Sequence, residues 1–144
     1  MRPVFSILFT LLTTLAAQGQ ETSQRVVSAT LANEIQTLKA LGDSQRWFTV
    51  LNRSTRLLES CADSPELLLF QTAATKELGR HEDTRKLAQE FLRRYPDSVN
   101  KDQALFFLGS ALLLSGTRVE AASLLVEASR VTTDATLRKQ IQQI

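Results

Sequence analysis

Three glycines divide this chain at equal intervals. Gly42, Gly79 and Gly116 follow one another with the same offset of 37 residues. The same offset joins further residues of like type: Leu31, Leu68 and Leu105; Val50, Leu87 and Leu124; Arg56, Arg93 and Arg130. A fixed period between about 20 and 50 residues is typical of a stacked structural repeat. The chain is therefore expected to consist of three similar units.

The pattern within each unit is helical. Apolar residues recur every three or four positions, and no strand-like alternation of useful length interrupts them. Ser64, Pro65 and Glu66 form a helix start signal, and Gly79 is suited to a left-handed helix end. Pro96 closes the second unit, because the residue before a proline disfavours helix. The prediction is an all-α fold with helices at about 23–41, 44–60, 65–78, 82–94, 100–115 and 118–130.

Each pair of helices forms one repeat, and the repeats are expected to stack. Their predicted bounds are 28–64, 65–101 and 102–133, followed by a terminal helix at 134–144 that Asp134 caps. A two-helix unit cannot bury two apolar stripes alone, so stacking predicts an α-solenoid. Trp47 is expected to anchor the first hairpin from the stripe of its second helix. Leu137, Ile141 and Ile144 give the terminal helix an apolar stripe of its own.

Residues 1–19 have the pattern of a secretory signal peptide. Arg2 precedes an apolar run from Val4 to Ala17, and Ala17 and Gly19 have the spacing of a cleavage site. A buried helix or a membrane span is the alternative, but a run of about 14 residues is short of the roughly 20 that cross a bilayer. No cysteine follows the run, so the lipidation signal of lipoproteins is missing. The predicted mature chain, 20–144, is secreted or periplasmic.

Composition narrows the possible chemistry. One cysteine, Cys61, excludes an intrachain disulfide and a cysteine-based zinc site, and one histidine, His81, excludes a histidine-rich metal site. The formal net charge of +2 does not indicate a nucleic-acid-binding face. We find no nucleophile–base pair and no glycine-rich phosphate loop. The chain is therefore predicted to be non-catalytic, with no metal and no cofactor.

Three isolated features have structural explanations. Cys61 is expected to be a small buried residue near a helix end, and His81 to lie in a turn before helix-starting acids. The arginines repeated at the 37-residue offset could form a basic ridge. A solvated face is the preferred interpretation, because acids interleave with them: Glu59, Glu90 and Glu127.

The residues of the units resemble a known repeat family. The third unit carries the most complete set: Leu105, Leu108, Gly109, Gly116, Ala121, Leu125 and Ala128. The second has Leu68, Gly79, Ala88, Phe91 and Pro96, with Thr72 and Thr84 at two small-residue positions; the first has Leu31, Gly42 and Leu51. From about 28 to 133 the chain resembles the tetratricopeptide repeat family, and especially its periplasmic bacterial members.

This resemblance implies a protein-interaction scaffold that holds a peptide or a partner helix in a groove of the first helices of each repeat. Carried over position by position, the groove residues are Gln36, Lys39, Leu69, Ala73, Lys76, Gln103, Phe106, Ser110 and Leu113. Ala32 and Gln36 replace the Lys and Asn of the family's carboxylate clamp, so that clamp is expected to be absent. Packing between helices is the alternative role of Leu69, Phe106 and Leu113.

The resemblance also implies a partner of the cell envelope, a protein or a peptide rather than nucleic acid. At the 37-residue period, a further turn glycine would fall at 153, nine residues past Ile144. The last helix is therefore either a solvating cap or part of a longer protein. In the second case the chain is the N-terminal helical domain of a periplasmic receptor or cell-wall-synthesis regulator, with its ligand-binding part beyond 144.

Overall fold

The computed structural model describes the backbone from Phe5 and the side chains from Ser23 to Ile144. The described residues form helices and turns without a strand, which confirms the all-α prediction. The helices are α1 (Phe5–Asp43), α2 (Trp47–Ser60), α3 (Pro65–Glu77), α4 (His81–Arg94), α5 (Lys101–Leu114), α6 (Arg118–Val131) and α7 (Ala135–Gln142). The predicted signal peptide, 1–19, lies outside the residues whose side chains are described and stays a prediction.

The chain divides into two units, Met1–Thr37 and Leu38–Ile144. In the first, the side chains from Ser23 to Thr30 on α1 are exposed. The second contains the end of α1, where Leu38 is fully buried, and all of α2 to α7. The boundary falls inside the predicted first repeat, 28–64. Among the described residues, no helix combines the length and the apolar character that a membrane span requires.

Helices α2 to α7 pack in chain order. Each contacts the next, and α3 also contacts α5, so the first helices of the second and third repeats touch directly. Successive apolar clusters share helices: one joins α3, α4 and α5, the next α4, α5 and α6, and the last α5, α6 and α7. The apolar core therefore continues from one helix pair to the next.

The start and end signals of the later helices are confirmed. The Ser64 side chain accepts a hydrogen bond from the Leu67 amide (3.3 Å), and Pro65 begins α3. Gly79 has a φ of 72°, which L-residues rarely adopt, and the next amide closes the helix end by bonding to Thr75 O (2.9 Å). Gly116 repeats this geometry with a φ of 91°. The Asp134 side chain caps α7 by accepting hydrogen bonds from the amides of Thr136 and Leu137.

The first turn does not follow the glycine period. Helix α1 passes through Gly42 and ends at Asp43, two residues beyond the predicted end, and the left-handed residue is Gln45, with a φ of 57°. The Arg46 amide closes this turn on Leu41 O at 2.9 Å. Gly42 instead accommodates the half-buried Trp47, since a Cβ there would lie 3.3 Å from the indole ring. Trp47 therefore ties the end of α1 to α2 rather than filling the core.

The moved turn changes the repeat register. The left-handed residues now lie 34 and 37 residues apart, at 45, 79 and 116. Helices α2 and α4 each have 14 residues and also begin 34 residues apart. The match of Val50 with Leu87 and Leu124 is therefore wrong: Val50 is fully buried, whereas both leucines are half-buried. In the observed register, Ile35 corresponds to Leu69 and Lys39 to Ala73, so the predicted assignments of Ala32 and Gln36 shift.

The second and third repeats solve the same close contact differently. In the third, Gly109 of α5 leaves room for Leu125 and the Ala121 carbonyl of α6. In the second, the corresponding buried residues are Thr72 and Thr84. Their hydroxyls donate to Leu68 O (2.7 Å) and to the Thr75 hydroxyl (3.1 Å). The threonine hydroxyls are thus hydrogen-bonded, as buried polar groups must be.

The register predicts opposite effects of glycine at neighbouring positions. Gln45→Gly should raise the free energy of unfolding by about 0.5–1 kcal/mol, because the left-handed conformation strains an L-residue but not glycine. Ser44→Gly, the matched control outside the left-handed region, should lower it slightly. Gly79→Ala should lower it by about 1 kcal/mol. Urea unfolding followed by far-UV circular dichroism measures all three, and a loss of stability in Gln45→Gly would contradict the observed turn.

Candidate functional site

The predicted groove residues differ in accessibility. Gln36 and Lys39 are exposed on α1, the first in the N-terminal unit and the second in the C-terminal unit. Five residues on α3 and α5 are half-buried: Leu69, Ala73, Lys76, Gln103 and Leu113. Phe106 and Ser110 are buried. Within Leu38–Ile144, the accessible part of the predicted groove therefore lies mainly along α3 and at the C-terminal end of α5.

One contact joins the predicted residues of two repeats. Lys76 Nζ of α3 lies 5.6 Å from the centroid of the Phe106 ring of α5. The same ammonium pairs with Glu77 Oε1 at 2.8 Å. A cation over an aromatic face contributes about 0.5–1 kcal/mol at such sites. Lys76 therefore has a structural role between the helices in addition to the groove role that the resemblance implies.

Phe106 contributes to helix packing. Its side chain belongs to the cluster of Leu105, Leu125, Ala128 and Leu137, which comes from α5, α6 and α7. A cavity of about 190 Å³ between α5 and α7 is lined by Gln103 and Phe106 together with residues of α7. The terminal helix thus lies beside this end of the predicted groove.

Leu69 and Leu113, the two other groove residues with a possible packing role, are only partly buried. Leu69 and Leu113 lie against neighbouring clusters and keep part of their surface. The Ser110 hydroxyl donates to Phe106 O of its own helix at 2.8 Å. Beyond the predicted set, Leu114 is 66% exposed and extends the apolar end of α5 next to Leu113. Leu114 directly follows the predicted Leu113, so extending the predicted groove by one residue along the sequence would have included it.

The end of α4 is tied to the turn between α2 and α3. Arg94 Nη2 donates to Ala62 O (2.7 Å), and the Tyr95 hydroxyl donates to Asp63 Oδ1 (3.0 Å). Arg94 also pairs with Asp63 at 3.6 Å and with Glu90 at 3.4 Å. These contacts hold the start of α3 against the end of its partner helix. No local sequence signal indicates them, because 32 residues separate the paired groups.

The single tyrosine reports on this tie. Burial raises the pKa of Tyr95 above its ordinary value of 10.0, and the hydrogen bond to Asp63 raises it further. We therefore expect its absorbance titration at high pH to have a midpoint above 10.0, and Asp63→Ala to lower that midpoint. A raised pKa in the folded state contributes stability that is present below pH 10.0 and is lost as the pH rises through the folded-state pKa. An unchanged midpoint in Asp63→Ala would contradict the contact.

The lone histidine and cysteine lie apart from the groove. His81 is the exposed first residue of α4, and the acids beside it are engaged: Glu82 with Arg85 (3.1 Å) and Asp83 with Arg80 (2.6 Å). The hydrogen bond from Arg85 lowers the pKa of Glu82. Cys61 ends α2 as expected but is half-buried rather than buried. Across the described residues, no three metal-ligating side chains cluster.

The arginines of the predicted ridge are exposed but do not correspond. In the observed register, Arg93 matches Arg130, whereas Arg56 matches Glu90. All three arginines are exposed. Glu90 pairs with Arg94, and Glu127 pairs with Lys101 at 3.6 Å. The series is therefore not a continuous repeated ridge, which agrees with the interpretation as a solvated face.

No protein-family model matches this chain, and no curated protein matches its sequence.

Proposed function

We propose that this chain is an exported, non-catalytic scaffold of tetratricopeptide-repeat type, which binds a peptide or a partner helix along the first helices of its repeats. The observation that best supports the proposal is the direct packing of α3 on α5 within a series of similar helix pairs. Repeats stacked in this way form extended surfaces that bind other chains. The predicted signal peptide supports a periplasmic or secreted location and a partner in the cell envelope.

The accessible side chains suggest what the partner contacts. On α3, Leu69 and Ala73 keep part of their surface between the charged Glu66 and Lys76. At the end of α5, the exposed Leu114 and the half-buried Leu113 add apolar surface. A segment with apolar side chains at helical or extended spacing fits such a face. The alternative prediction is that the chain is the N-terminal helical domain of a larger periplasmic receptor or cell-wall-synthesis regulator.

Site-specific photocrosslinking tests the proposal. A photoreactive phenylalanine analogue at Ala73 should give one discrete adduct with an envelope protein in cells that make the chain naturally. The matched control is the same analogue at Gln89, an exposed residue of α4 away from the first helices. Ala73→Arg should weaken the affinity for the identified partner at least tenfold, and Gln89→Arg should leave that affinity unchanged.

Two results would contradict the proposal. The first is equal, diffuse crosslinking from Ala73 and Gln89, which indicates no preferred face. The second is a partner whose affinity is unchanged by Ala73→Arg in a variant that keeps its circular dichroism spectrum. Either result would move the binding surface away from the first helices.

A further inference from the structure

An open cleft of about 420 Å³ lies between α2 and α4, with α3 beneath it. Its lining contains none of the nine predicted groove residues, so a role for it goes beyond the proposed function. The lining side chains are Leu51, Asn52, Thr55, Gln71, Thr75, Arg80, Asp83, Lys86 and Leu87. Pockets that hold small molecules usually have volumes of about 300–1,000 Å³.

The next repeat shows that the cleft is not a necessary gap in the fold. Gln71 and Thr75 form part of its floor on α3, and the corresponding residues on α5 are Leu108 and Leu112. Those leucines pack with Ala88 and Ala121 of the flanking helices in a buried apolar cluster. The same interval is therefore polar and open between α2 and α4 but apolar and filled between α4 and α6.

Hydrogen-bond donors face the cleft from both sides. Asn52 on α2 and Lys86 on α4 occupy corresponding positions in the observed register, and both line the cleft. Neither side chain has a hydrogen bond or ion pair with another residue in the described part of the chain. Arg80 pairs with Asp83 at 2.6 Å, so Lys86 is the charged residue of the lining that has no ion pair; Glu82, one turn away on α4, interacts with its charge but pairs with Arg85.

The rest of the lining is apolar or already bonded. The Gln71 amide donates to the Thr55 hydroxyl at 3.0 Å, which holds the floor to the α2 wall. Leu51 and Leu87 supply aliphatic surface from the two walls. A carboxylate accepts hydrogen bonds from an ammonium and an amide, and charge-assisted bonds of this kind are about twice as strong as neutral ones.

We propose that this cleft binds a small aliphatic carboxylic acid. Its carboxylate accepts hydrogen bonds from Lys86 and Asn52, and its aliphatic group packs against Leu51 and Leu87. The positive charge of Lys86 selects the anion, and the apolar walls select against a bare anion such as acetate.

A nuclear magnetic resonance titration with N-acetyl-leucine tests the proposal. The side-chain amide signals of Asn52 and Gln71 should shift and saturate, with a dissociation constant in roughly the millimolar range expected of so small a ligand. N-acetyl-leucinamide, which lacks the carboxylate, and acetate, which lacks the aliphatic group, should each bind at least tenfold more weakly.

Matched variants separate the cleft from general attraction to a basic protein. Lys86→Gln should weaken binding at least tenfold, because it removes the charge that pairs with the carboxylate. Arg118→Gln removes the same charge from an exposed residue outside the cleft and should leave the affinity unchanged. Lys86 is exposed, so its replacement keeps the fold. The proposal is overturned by unsaturable shifts, by unchanged binding in Lys86→Gln, or by an equal loss in Arg118→Gln.

Discussion

Phe91→Ala should lower the free energy of unfolding by about 3–5 kcal/mol, which is the usual cost of truncating a fully buried phenylalanine. The Phe91 side chain is completely buried on α4 and belongs to the cluster of Leu68 and Ala104. Its ring also lies 5.4 Å from the ring of Tyr95. Because the cluster joins three helices, the cavity would weaken α3, α4 and α5 together. Guanidinium unfolding followed by far-UV circular dichroism measures the loss.

Phe48→Ala is the matched control for this substitution. Phe48 lies on α2 and is 67% exposed, so its truncation should change the free energy of unfolding by less than about 0.5 kcal/mol. Equal losses for the two variants would show that Phe91 is not the packed centre of its repeat.

Gly109→Val should lower the free energy of unfolding by about 3 kcal/mol through overpacking. A Cβ at Gly109 would already lie 2.9 Å from Leu125 Cγ and 3.3 Å from Ala121 O. Valine adds two methyl groups where even the first carbon has no room, so α5 and α6 would have to separate. The exposed Ala122→Val on α6 makes a similar change without the contact and should cost no more than about 0.7 kcal/mol.

A double-mutant cycle identifies the residue that Gly109 accommodates. Gly109→Ala should be less harmful in a Leu125→Ala background than in the wild-type chain, because the leucine side chain that meets the new Cβ is gone. We expect a coupling energy of about 1 kcal/mol between the two positions. A coupling energy of zero would mean that Leu125 is not the obstacle.

Much of the fold follows from local residue patterns. Ser64 with Pro65, Asp134, and the glycines at 79 and 116 mark helix ends where sequence reasoning expects them, because capping depends on neighbouring residues alone. Burial in α4 also follows from helical spacing.

The first turn could not be read from the same signals. Gly42 has the spacing of a turn glycine, but Trp47 lies against it, and Gln45 adopts the left-handed conformation instead. A glycine pattern does not reveal whether the residue is needed for a positive φ or for a close neighbour. The first-repeat groove assignments depended on that register, and for this reason Gln36 loses its correspondence with Ala73.

The candidate sites depend on contacts that spacing cannot supply. The groove positions came from family resemblance, and the burial of Phe106 by residues of α6 and α7 is a tertiary effect. The cleft could not be predicted from the sequence, because the predicted 37-residue period does not place Asn52 and Lys86 in corresponding positions. Neither residue belongs to a recognisable motif.

From Leu38 to Ile144, each helix pair is expected to be stabilised by the next, because α2 to α7 pack in chain order. The most direct test is denaturant unfolding monitored in parallel by far-UV circular dichroism and by the fluorescence of Trp47, the single tryptophan. We expect coincident transitions, since the turn that holds Trp47 belongs to the same compact unit as the later helices. A tryptophan transition completed at lower denaturant, with the helical signal still intact, would contradict it.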